Sequence, residues 1–287
     1  MSTKLIEITP QEKSPFEQEP QLLGVYHWNE GRRSMHLHED RVELNFILAG
    51  NGIIAVDGEL CNAQAGDVLI YNSNTLHDER LIVSDQINAW CIAVTNLKLP
   101  EQPVNELLPK NFHPCIPCQA VADQLAQLYP LIHQYAQKEE SYQVANALAR
   151  VVVLIVYEII RTSAFETSKE NNFAVEKVKS YIEEHYAEEI SLAELAELVR
   201  ANEFYLAHAF KKITGYSPQQ YILRRRIGKA QCLLIYTSLP LTEISARVGY
   251  DDSDYFGRVF KKIVGMPPRL YRQKWKEYSL GSMPSDI

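Results

Sequence analysis

An internal repeat occupies the last third of the 287-residue chain and constrains its fold more than any other feature. Residues 210–221 follow the pattern F-K-K-I-x-G-x-x-P-x-x-Y, and residues 260–271 follow the same pattern at an offset of 50. Further matching pairs lie upstream at this offset: Ala196/Ala246, Leu198/Val248, Tyr205/Tyr255 and Leu206/Phe256. A repeat of this kind is typical of one supersecondary unit that occurs twice.

The first copy predicts two short helices separated by a three-residue turn. Ser191 and Glu194 form a capping-box pattern that opens a helix ending near Val199. Asn202 is a favourable N-cap for a second helix over residues 203–213. Two helices joined in this way form a helix-turn-helix, whose second helix enters the major groove of DNA.

The second copy predicts the same arrangement. Its helices are expected over residues 242–248 and 253–263, with Asp252 in the capping position that Asn202 has in the first copy. A connecting helix is predicted over residues 218–236. The repeat therefore predicts a tandem helix-turn-helix domain.

This part of the chain resembles a known group of proteins. Residues 246–272, ARVGYDDSDYFGRVFKKIVGMPPRLYR, look like the signature of the AraC family of bacterial transcription regulators. The pattern R-I-x-x-A-x-x-L-L over residues 226–234 also fits that family, and the resemblance covers residues 173–272. It implies a monomeric domain whose two recognition helices enter successive major grooves of double-stranded operator DNA.

The same resemblance assigns the residues that face DNA. The base-facing positions would be Glu203, Phe204, Ala207 and His208 in the first copy and Ser253, Asp254, Gly257 and Arg258 in the second. Arg258 suits guanine, Ala207 suits a thymine methyl group, and the acidic residues suit a helix N-terminus or a cytosine amine. Phosphate contacts are expected from the lysine pairs that end both helices and from two arginines: Lys211, Lys212, Lys261, Lys262, Arg224 and Arg225.

Charge is distributed unevenly along the chain. The formal net charge is −7, with −10 over residues 1–172 and +3 over residues 173–287, which favours two separate roles. A hydrophobic fraction of 46%, with 12 Gly and 14 Pro, excludes a disordered or collagen-like chain. Five scattered cysteines and the lack of an apolar run at the start predict a cytoplasmic protein with reduced thiols and no signal peptide.

Residues 21–96 have the pattern of a β domain, in which short apolar runs alternate with turn signals. Strands are predicted over residues 42–49, 53–56, 67–71 and 87–94, with turns at Gly50-Asn51-Gly52 and Asp57-Gly58. Residues 97–118 hold five of the 14 prolines and are predicted to be a linker. Cys115 and Cys118 form a lone C-x-x-C, which suits a zinc site or a loop that holds two thiols, and the lack of a second pair favours the loop.

Two motifs in the β domain resemble those of the cupin barrels. The first contains His36, His38 and Glu43, and the second is G-(x5)-N over residues 66–72, followed by His77. The second departs from the family pattern at Asn72, Asn74 and Leu81. The resemblance covers residues 24–96 and agrees with the AraC family, many of whose members carry an N-terminal cupin-like sensor for sugars or other small molecules.

The cupin resemblance implies an effector pocket inside the barrel. Its expected lining is His36, His38, Glu43, Asn45, Tyr71, His77, Trp28 and Trp90. Aromatic rings can stack on a sugar and Asn45 can bond a hydroxyl, so a carbohydrate is the expected effector. A divalent transition metal could also be held by His36, His38, Glu43 and His77. Regulators also retain this pattern as pocket structure without metal, and both alternatives stay open.

From residue 119 the apolar period becomes helical. Residues 144–160 are apolar enough that one face is expected to pack on the barrel and one on a second subunit, and they are shorter than the ~20 apolar residues of a membrane span. The predicted domains are an effector-binding domain with an N-terminal arm (1–118), a helical dimerisation segment (119–164), a linker (165–172) and the DNA-binding domain (173–287).

These patterns predict an α+β multidomain chain, with an N-terminal cupin-like β-barrel, a helical dimerisation segment and a C-terminal all-α tandem helix-turn-helix domain. The favoured function is a homodimeric, effector-controlled transcription regulator. It is not an enzyme, needs no cofactor, binds no membrane, and contacts RNA polymerase if it is an activator. Two alternatives remain: a metal-dependent cupin enzyme with a helical accessory domain, and a constitutive DNA-binding protein whose cupin only dimerises.

Overall fold

The computed structural model describes residues 14–28, 35–57, 59–109, 112–162 and 173–278, with the side chains of residues 28, 59, 79–86 and 275–278 left outside that description. The predicted linker over residues 165–172 and the N-terminal arm up to residue 13 lie outside the described residues.

Within the described residues, the N-terminal part is one antiparallel sheet of six strands. The strands are β1 (Gln21–Trp28), β2 (Val42–Val56), β3 (Glu59–Gln64), β4 (Asp67–Tyr71), β5 (His77–Thr95) and β6 (Cys115–Pro117). Their order is β1-β5-β2-β4-β6, and β3 pairs with β2. The two long strands β2 and β5 pair along most of their length and form the centre of the sheet.

The predicted turn at Gly50-Asn51-Gly52 is wrong, because β2 continues through these residues. The pairing of β2 with β5 shifts register around Ala49 and Asn51, and Gly50 has a φ of 83°. A glycine at positive φ supports a β-bulge as well as a turn, and a bulge bends a strand without ending it. The hairpin at Asp57 is confirmed, since Val56 pairs with Glu59.

The predicted proline-rich linker over residues 97–118 belongs to the β domain. Its segment Cys115–Pro117 is β6, which pairs with β4. Asn105 also bonds this stretch to the sheet, since its backbone carbonyl accepts from the Ser73 N–H at 2.9 Å. Prolines are tolerated here because an edge strand and its approach need few ladder hydrogen bonds.

Two helices, α1 (Ala122–Ala136) and α2 (Tyr142–Thr162), pack on the outer face of the sheet. The hydroxyl of Tyr129 in α1 donates to the Leu44 carbonyl at 3.1 Å. By length and composition, the helix Glu139–Thr162 also meets the criterion for a membrane span, with 33% of its most apolar window buried. One such helix is weak support for a membrane protein, because a core helix has the same composition.

The C-terminal part is all helical. Its helices are α3 (Phe173–His185), α4 (Leu192–Leu198), α5 (Glu203–Thr214), α6 (Pro218–Tyr236), α7 (Leu241–Arg247), α8 (Ser253–Val264) and α9 (Pro268–Tyr278). The capping box of Ser191 and Glu194 is confirmed, as are the caps Asn202 and Asp252. The helix-turn-helix units are therefore α4–α5 and α7–α8, joined by α6.

The sheet and the first helix-turn-helix unit share one hydrophobic core. Met35 and Leu76 of the sheet domain are buried in the same cluster as Val178 and Ile222. Helix α6 approaches the sheet so closely that a Cβ atom built on Gly228 would lie 1.4 Å from the Met35 carbonyl oxygen. Only glycine fits there, so the docking of the two domains depends on this position.

Gly228→Ala is expected to separate the two domains, because the added methyl group and the Met35 carbonyl cannot occupy the same space. Small-angle X-ray scattering should give a larger radius of gyration for this variant, with an unchanged helical signal in circular dichroism. Gly257→Ala is the matched control, since no atom lies within 4 Å of its added Cβ. It gains about 0.5–1 kcal/mol of helix propensity and should keep the original radius. Equal radii for all three proteins would contradict the described docking.

Candidate functional site

The predicted base-facing side of α5 is open to solvent. Phe204 is 77% exposed and stacks on His208, with ring centroids 5.6 Å apart. Glu203 is also exposed, and Ala207 is half-buried beside them. The opposite face of the helix carries Leu206 and Phe210, which are buried in the core. The amphipathic pattern therefore leaves an aromatic ridge on the outer face.

The predicted base-facing side of α8 is also open. Arg258 is exposed, and its guanidinium carbon lies 5.7 Å from the centroid of the Tyr255 ring. Ser253 and Gly257 are half-buried and Asp254 is exposed. The backbone N–H groups of Tyr255 and Asp254 donate to Asp252 and hold the pKa of that carboxyl below its usual range. The carboxylate thus stays charged at the helix N-terminus, where it stabilises α8.

Two exposed tyrosines lie next to the base-facing sides of α5 and α8, and the sequence did not predict a DNA-facing role for them. Tyr205 is 59% exposed and Tyr255 is 52% exposed, at equivalent places in α5 and α8. Their recurrence at the offset of 50 was the available signal, because a large aromatic side chain that recurs without being buried needs another reason to be there.

Two of the expected phosphate contacts are wrong in this arrangement. Lys211, Lys212, Lys261 and Lys262 are exposed at the ends of α5 and α8. Arg225, by contrast, is 6% exposed and donates from Nε to Oε2 of Glu183 at 2.6 Å. Arg224 donates from Nη1 to Oδ2 of Asp78 at 2.7 Å. Their acidic partners are distant in sequence, so the sequence did not show that Arg225 is buried or that Arg224 is paired with Asp78 and only 23% exposed.

Three buried histidines meet in the sheet domain. The ligand atoms of His36, His38 and His77 all lie within 4.8 Å of one another. His36 and His77 form an antiparallel bridge, with backbone hydrogen bonds of 2.8 and 2.9 Å. Nδ1 of His77 lies 2.9 Å from the Thr75 carbonyl oxygen, which leaves Nε2 directed toward the cluster.

A carboxylate and an aromatic ring complete this histidine cluster. Oε1 of Glu43 lies 3.4 Å from Nε2 of His38 and accepts from the Tyr26 hydroxyl at 2.7 Å. Tyr71 stacks on His77 with ring centroids 4.1 Å apart. Asn45 is buried two residues further along β2 from Glu43, and therefore lies on the same face of that strand. The cluster and its neighbours thus come from five separate segments, of which the sequence had predicted all but β1 with Tyr26.

The predicted pocket residue Trp90 lies on the other face of the sheet. Its ring stacks on His27 at 4.3 Å and lies 5.4 Å from the His133 ring of α1. Trp90 pairs with Phe46, which stacks on Tyr129, and directly paired residues share a face. The Trp90 prediction is therefore wrong, since strand alternation turns it toward the helices. The side chain of Trp28 lies outside the described residues.

A cleft of about 370 Å³ lies at the turn that precedes β5, and its lining contains none of the predicted pocket residues His36, His38, Glu43, Asn45, Tyr71 and His77. Its polar wall is the turn of Asn72, Ser73, Asn74 and Thr75, and its apolar wall includes Leu108 and Phe112. The Thr75 carbonyl contacts His77, so the cleft and the cluster share this turn. The volume falls within the range of small-molecule sites.

The C-x-x-C pair does not lie in the predicted loop, because Cys115 begins strand β6 and Cys118 directly follows that strand. Sγ of Cys115 lies 3.4 Å from Oδ2 of Asp67. Burial raises the pKa of the Cys115 thiol well above its usual range and that of Cys118 to about 12. Metals bind the thiolate, which burial disfavours here.

The histidine cluster adjoins the interface with the DNA-binding domain. Asp78 follows His77 directly, is fully buried and accepts from the Tyr216 hydroxyl at 3.0 Å as well as from Arg224. Met35 precedes His36 and packs against α6 at Gly228. Because neighbouring residues of an extended strand point to opposite faces, the two histidines and the two interface residues lie back to back.

Both domains match described protein families. A model described as a helix-turn-helix domain matches residues 195–274, and one described as a cupin domain matches residues 24–87. Over 255 residues the chain is 26% identical to an uncharacterized HTH-type transcriptional regulator, YdiP of Escherichia coli strain K12, with 87% of this chain and 83% of the relative aligned. Over 247 residues it is 27% identical to the HTH-type transcriptional activator RhaS of Enterobacter sp. strain 638, with 82% and 86% aligned.

A solved structure resembles the C-terminal part. The C-terminal domain of the two-component response regulator yesN from Fusobacterium nucleatum is 37% identical and covers 35% of this chain and 99% of its own, with a TM-score of 0.34. The two domain matches lie in the order of the two structural parts, and both aligned relatives are transcription regulators. The chain belongs to the AraC family of DNA-binding transcription regulators and carries a cupin domain before its helix-turn-helix domain.

Proposed function

We propose that this regulator acts in the cytoplasm and is controlled by a small-molecule effector, a carbohydrate, bound at the histidine cluster and the adjoining cleft. One observation carries the proposal: the bridge of His36 and His77 is flanked by Met35 and Asp78, which contact α6. A ligand that moves the bridge therefore moves the surface on which the DNA-binding domain rests.

The histidine cluster also fits a divalent transition metal. Three imidazoles within 4.8 Å and a carboxylate beside His38 are the donor types that zinc and its neighbours prefer. His36, His38, His77 and Glu43 would hold the ion, which would supply a Lewis-acidic anchor for effector oxygens. The Thr75 carbonyl fixes the orientation of the His77 ring.

The recognition faces of α5 and α8 are proposed to read DNA. Glu203, Phe204, Ala207 and His208 would face one half-site, and Ser253, Asp254, Gly257 and Arg258 the other. The exposed lysines Lys211, Lys212, Lys261 and Lys262 would contact phosphates. An activator would in addition contact RNA polymerase.

A homodimer through α2 is also proposed. Val144, Leu148, Val151 and Ile155 form a stripe at helical spacing that stays exposed or half-buried. Val152 lies beside this stripe on the same helix but is fully buried in the core shared with the sheet, so it cannot face a partner. An apolar stripe of this kind is typical of a contact surface.

Arg258→Ala is expected to reduce affinity for the cognate duplex by about 1–3 kcal/mol and to relax one base position, because its guanidinium reads a base edge. Lys262→Ala should weaken all sequences similarly and flatten the salt dependence. Fluorescence anisotropy is measured on a duplex selected from a randomised library and on random DNA. The comparison distinguishes base reading by Arg258 from phosphate contact by Lys262. Arg247→Ala is the control, because Arg247 pairs with Glu243 on the surface of α7. An equal loss on cognate and random DNA for Arg258→Ala would contradict base reading.

His38→Ala/His77→Ala is expected to abolish effector binding while operator binding persists. Thermal-shift measurements against a sugar panel, with and without Zn²⁺ or Co²⁺, detect the ligand, since about 100-fold excess over Kd stabilises by about 2.7 kcal/mol. His27→Ala/His133→Ala, on the outer face of the sheet, should keep the shift. A panel without any shift would contradict the carbohydrate, and an unaffected double variant would contradict the site.

Asp78→Asn tests whether ligand binding in the cupin domain changes DNA affinity through this interface. This variant should keep the thermal shift but lose the effect of the ligand on DNA affinity, because the amide no longer pairs with Arg224. Asp67→Asn removes another buried carboxylate, which accepts from Gln119 at 2.7 Å. That control should keep both responses, and an intact DNA response in Asp78→Asn would contradict coupling through this interface.

Val151→Glu is expected to shift the protein toward monomer, because it places a charge in the centre of the proposed stripe. Sedimentation velocity at tens of micromolar checks this. Leu270→Glu, at an exposed apolar position of α9, serves as the control and should leave the oligomeric state unchanged. A monomer for the unchanged protein would contradict the dimer.

A further inference from the structure

The two helix-turn-helix units have separate hydrophobic cores, so something else must set their relative orientation. The first core includes Tyr221 and Ile222 of α6, and the second includes Ile227 and Leu234 of the same helix. Between these two stretches lies Arg226, which the family pattern singled out but which no part of the DNA-reading surface uses.

Arg226 joins the two units through three backbone carbonyls. Its Nε donates to the Tyr186 carbonyl at 2.6 Å and its Nη2 to the Glu188 carbonyl at 2.7 Å, both in the loop after α3. Its Nη1 donates to the Gly249 carbonyl at 2.8 Å, in the turn between α7 and α8. The guanidinium carbon also lies 5.3 Å from the centroid of the Tyr250 ring.

The loop and the turn also touch each other directly at the same place. Gly249 has a φ of 84°, and a Cβ atom built on it would lie 2.3 Å from the Ala187 carbonyl oxygen. The guanidinium is planar and its five donors are fixed in direction, so three simultaneous bonds hold one geometry rather than a range. Arg226 bonds to the turn that immediately precedes α8. This bond therefore fixes the orientation of α8 relative to the first unit.

We propose that Arg226 is a positioning residue that sets the spacing of the two half-sites the protein reads. The two recognition helices must reach sites separated by about one helical turn, roughly 34 Å. One inserted base pair rotates the second site by about 35° and moves it by about 3.4 Å. If the three hydrogen bonds of Arg226 hold α8 at one angle, the protein binds such a duplex with lower affinity. The proposal depends on DNA binding alone and not on any ligand of the cupin domain.

The test uses the full chain and a duplex selected by it from a randomised library, together with versions that carry one base pair more or fewer between the half-sites. The unchanged protein should lose at least about tenfold in affinity on either altered duplex, and Arg226→Ala less than about threefold. The salt dependence should stay the same, because Arg226 contacts no phosphate in this role.

Arg272→Ala is the matched control. Arg272 also donates to two backbone carbonyls, those of Leu234 and Leu239, but both of these residues pack in the second core and neither joins it to the first. This variant should lose stability without any change in spacing discrimination. Arg226→Lys keeps the positive charge and the aliphatic chain but lacks the planar guanidinium, so it should discriminate between half-site spacings to an intermediate degree.

Unchanged spacing discrimination in a folded Arg226→Ala protein would overturn the proposal. Circular dichroism and thermal melting establish folding for each variant. If Arg226→Ala unfolds, Arg226→Lys decides the outcome, and discrimination equal to that of the unchanged protein would count against the proposal. Unfolding of both variants would make Arg226 a requirement of folding rather than of spacing, which also overturns the proposal.

Discussion

The steric contact between Gly228 and the Met35 carbonyl determines how the parts of this protein sit together. At 1.4 Å from the oxygen, an added Cβ is excluded outright, so α6 can lie against the sheet only where it has no side chain. The same helix contributes Tyr221 to the first helix-turn-helix core and Ile227 to the second. One helix thus contacts the cupin domain and both helix-turn-helix units, and its position fixes the others.

Three consecutive arginines on α6 contact three different parts of the protein. Residues 224, 225 and 226 point about 100° apart because an α-helix has 3.6 residues per turn. Arg224 reaches the Asp78 carboxylate of the cupin domain, Arg225 reaches Glu183 of α3, and Arg226 reaches backbone carbonyls in the loop after α3 and in the turn before α8. Buried ion pairs contribute little net stability, but a lost partner leaves a buried charge, so such pairs favour one arrangement over others.

The cupin domain and the DNA-binding domain meet across the thickness of one strand pair. The His36–His77 bridge presents imidazoles to one side, and its neighbours Met35 and Asp78 contact α6 on the other. No long chain of contacts is required between the proposed ligand site and the interface. A small displacement of the bridge changes both faces, because adjacent side chains of a strand share one backbone.

Much of this architecture follows from local sequence patterns. The repeat at an offset of 50, the caps Asn202 and Asp252, and the histidine spacing predicted the helix-turn-helix units and the cluster, because capping and strand alternation act over a few residues. Only tertiary structure decided that Arg225 is buried, that Arg224 is paired with Asp78 and that Trp90 faces the helices. Their partners lie 42 to 146 residues away for the arginines, and the sheet face or helix side that becomes buried depends on what packs against it. A sequence states which side chains are basic or apolar, whereas only the folded chain decides which of them still meet solvent.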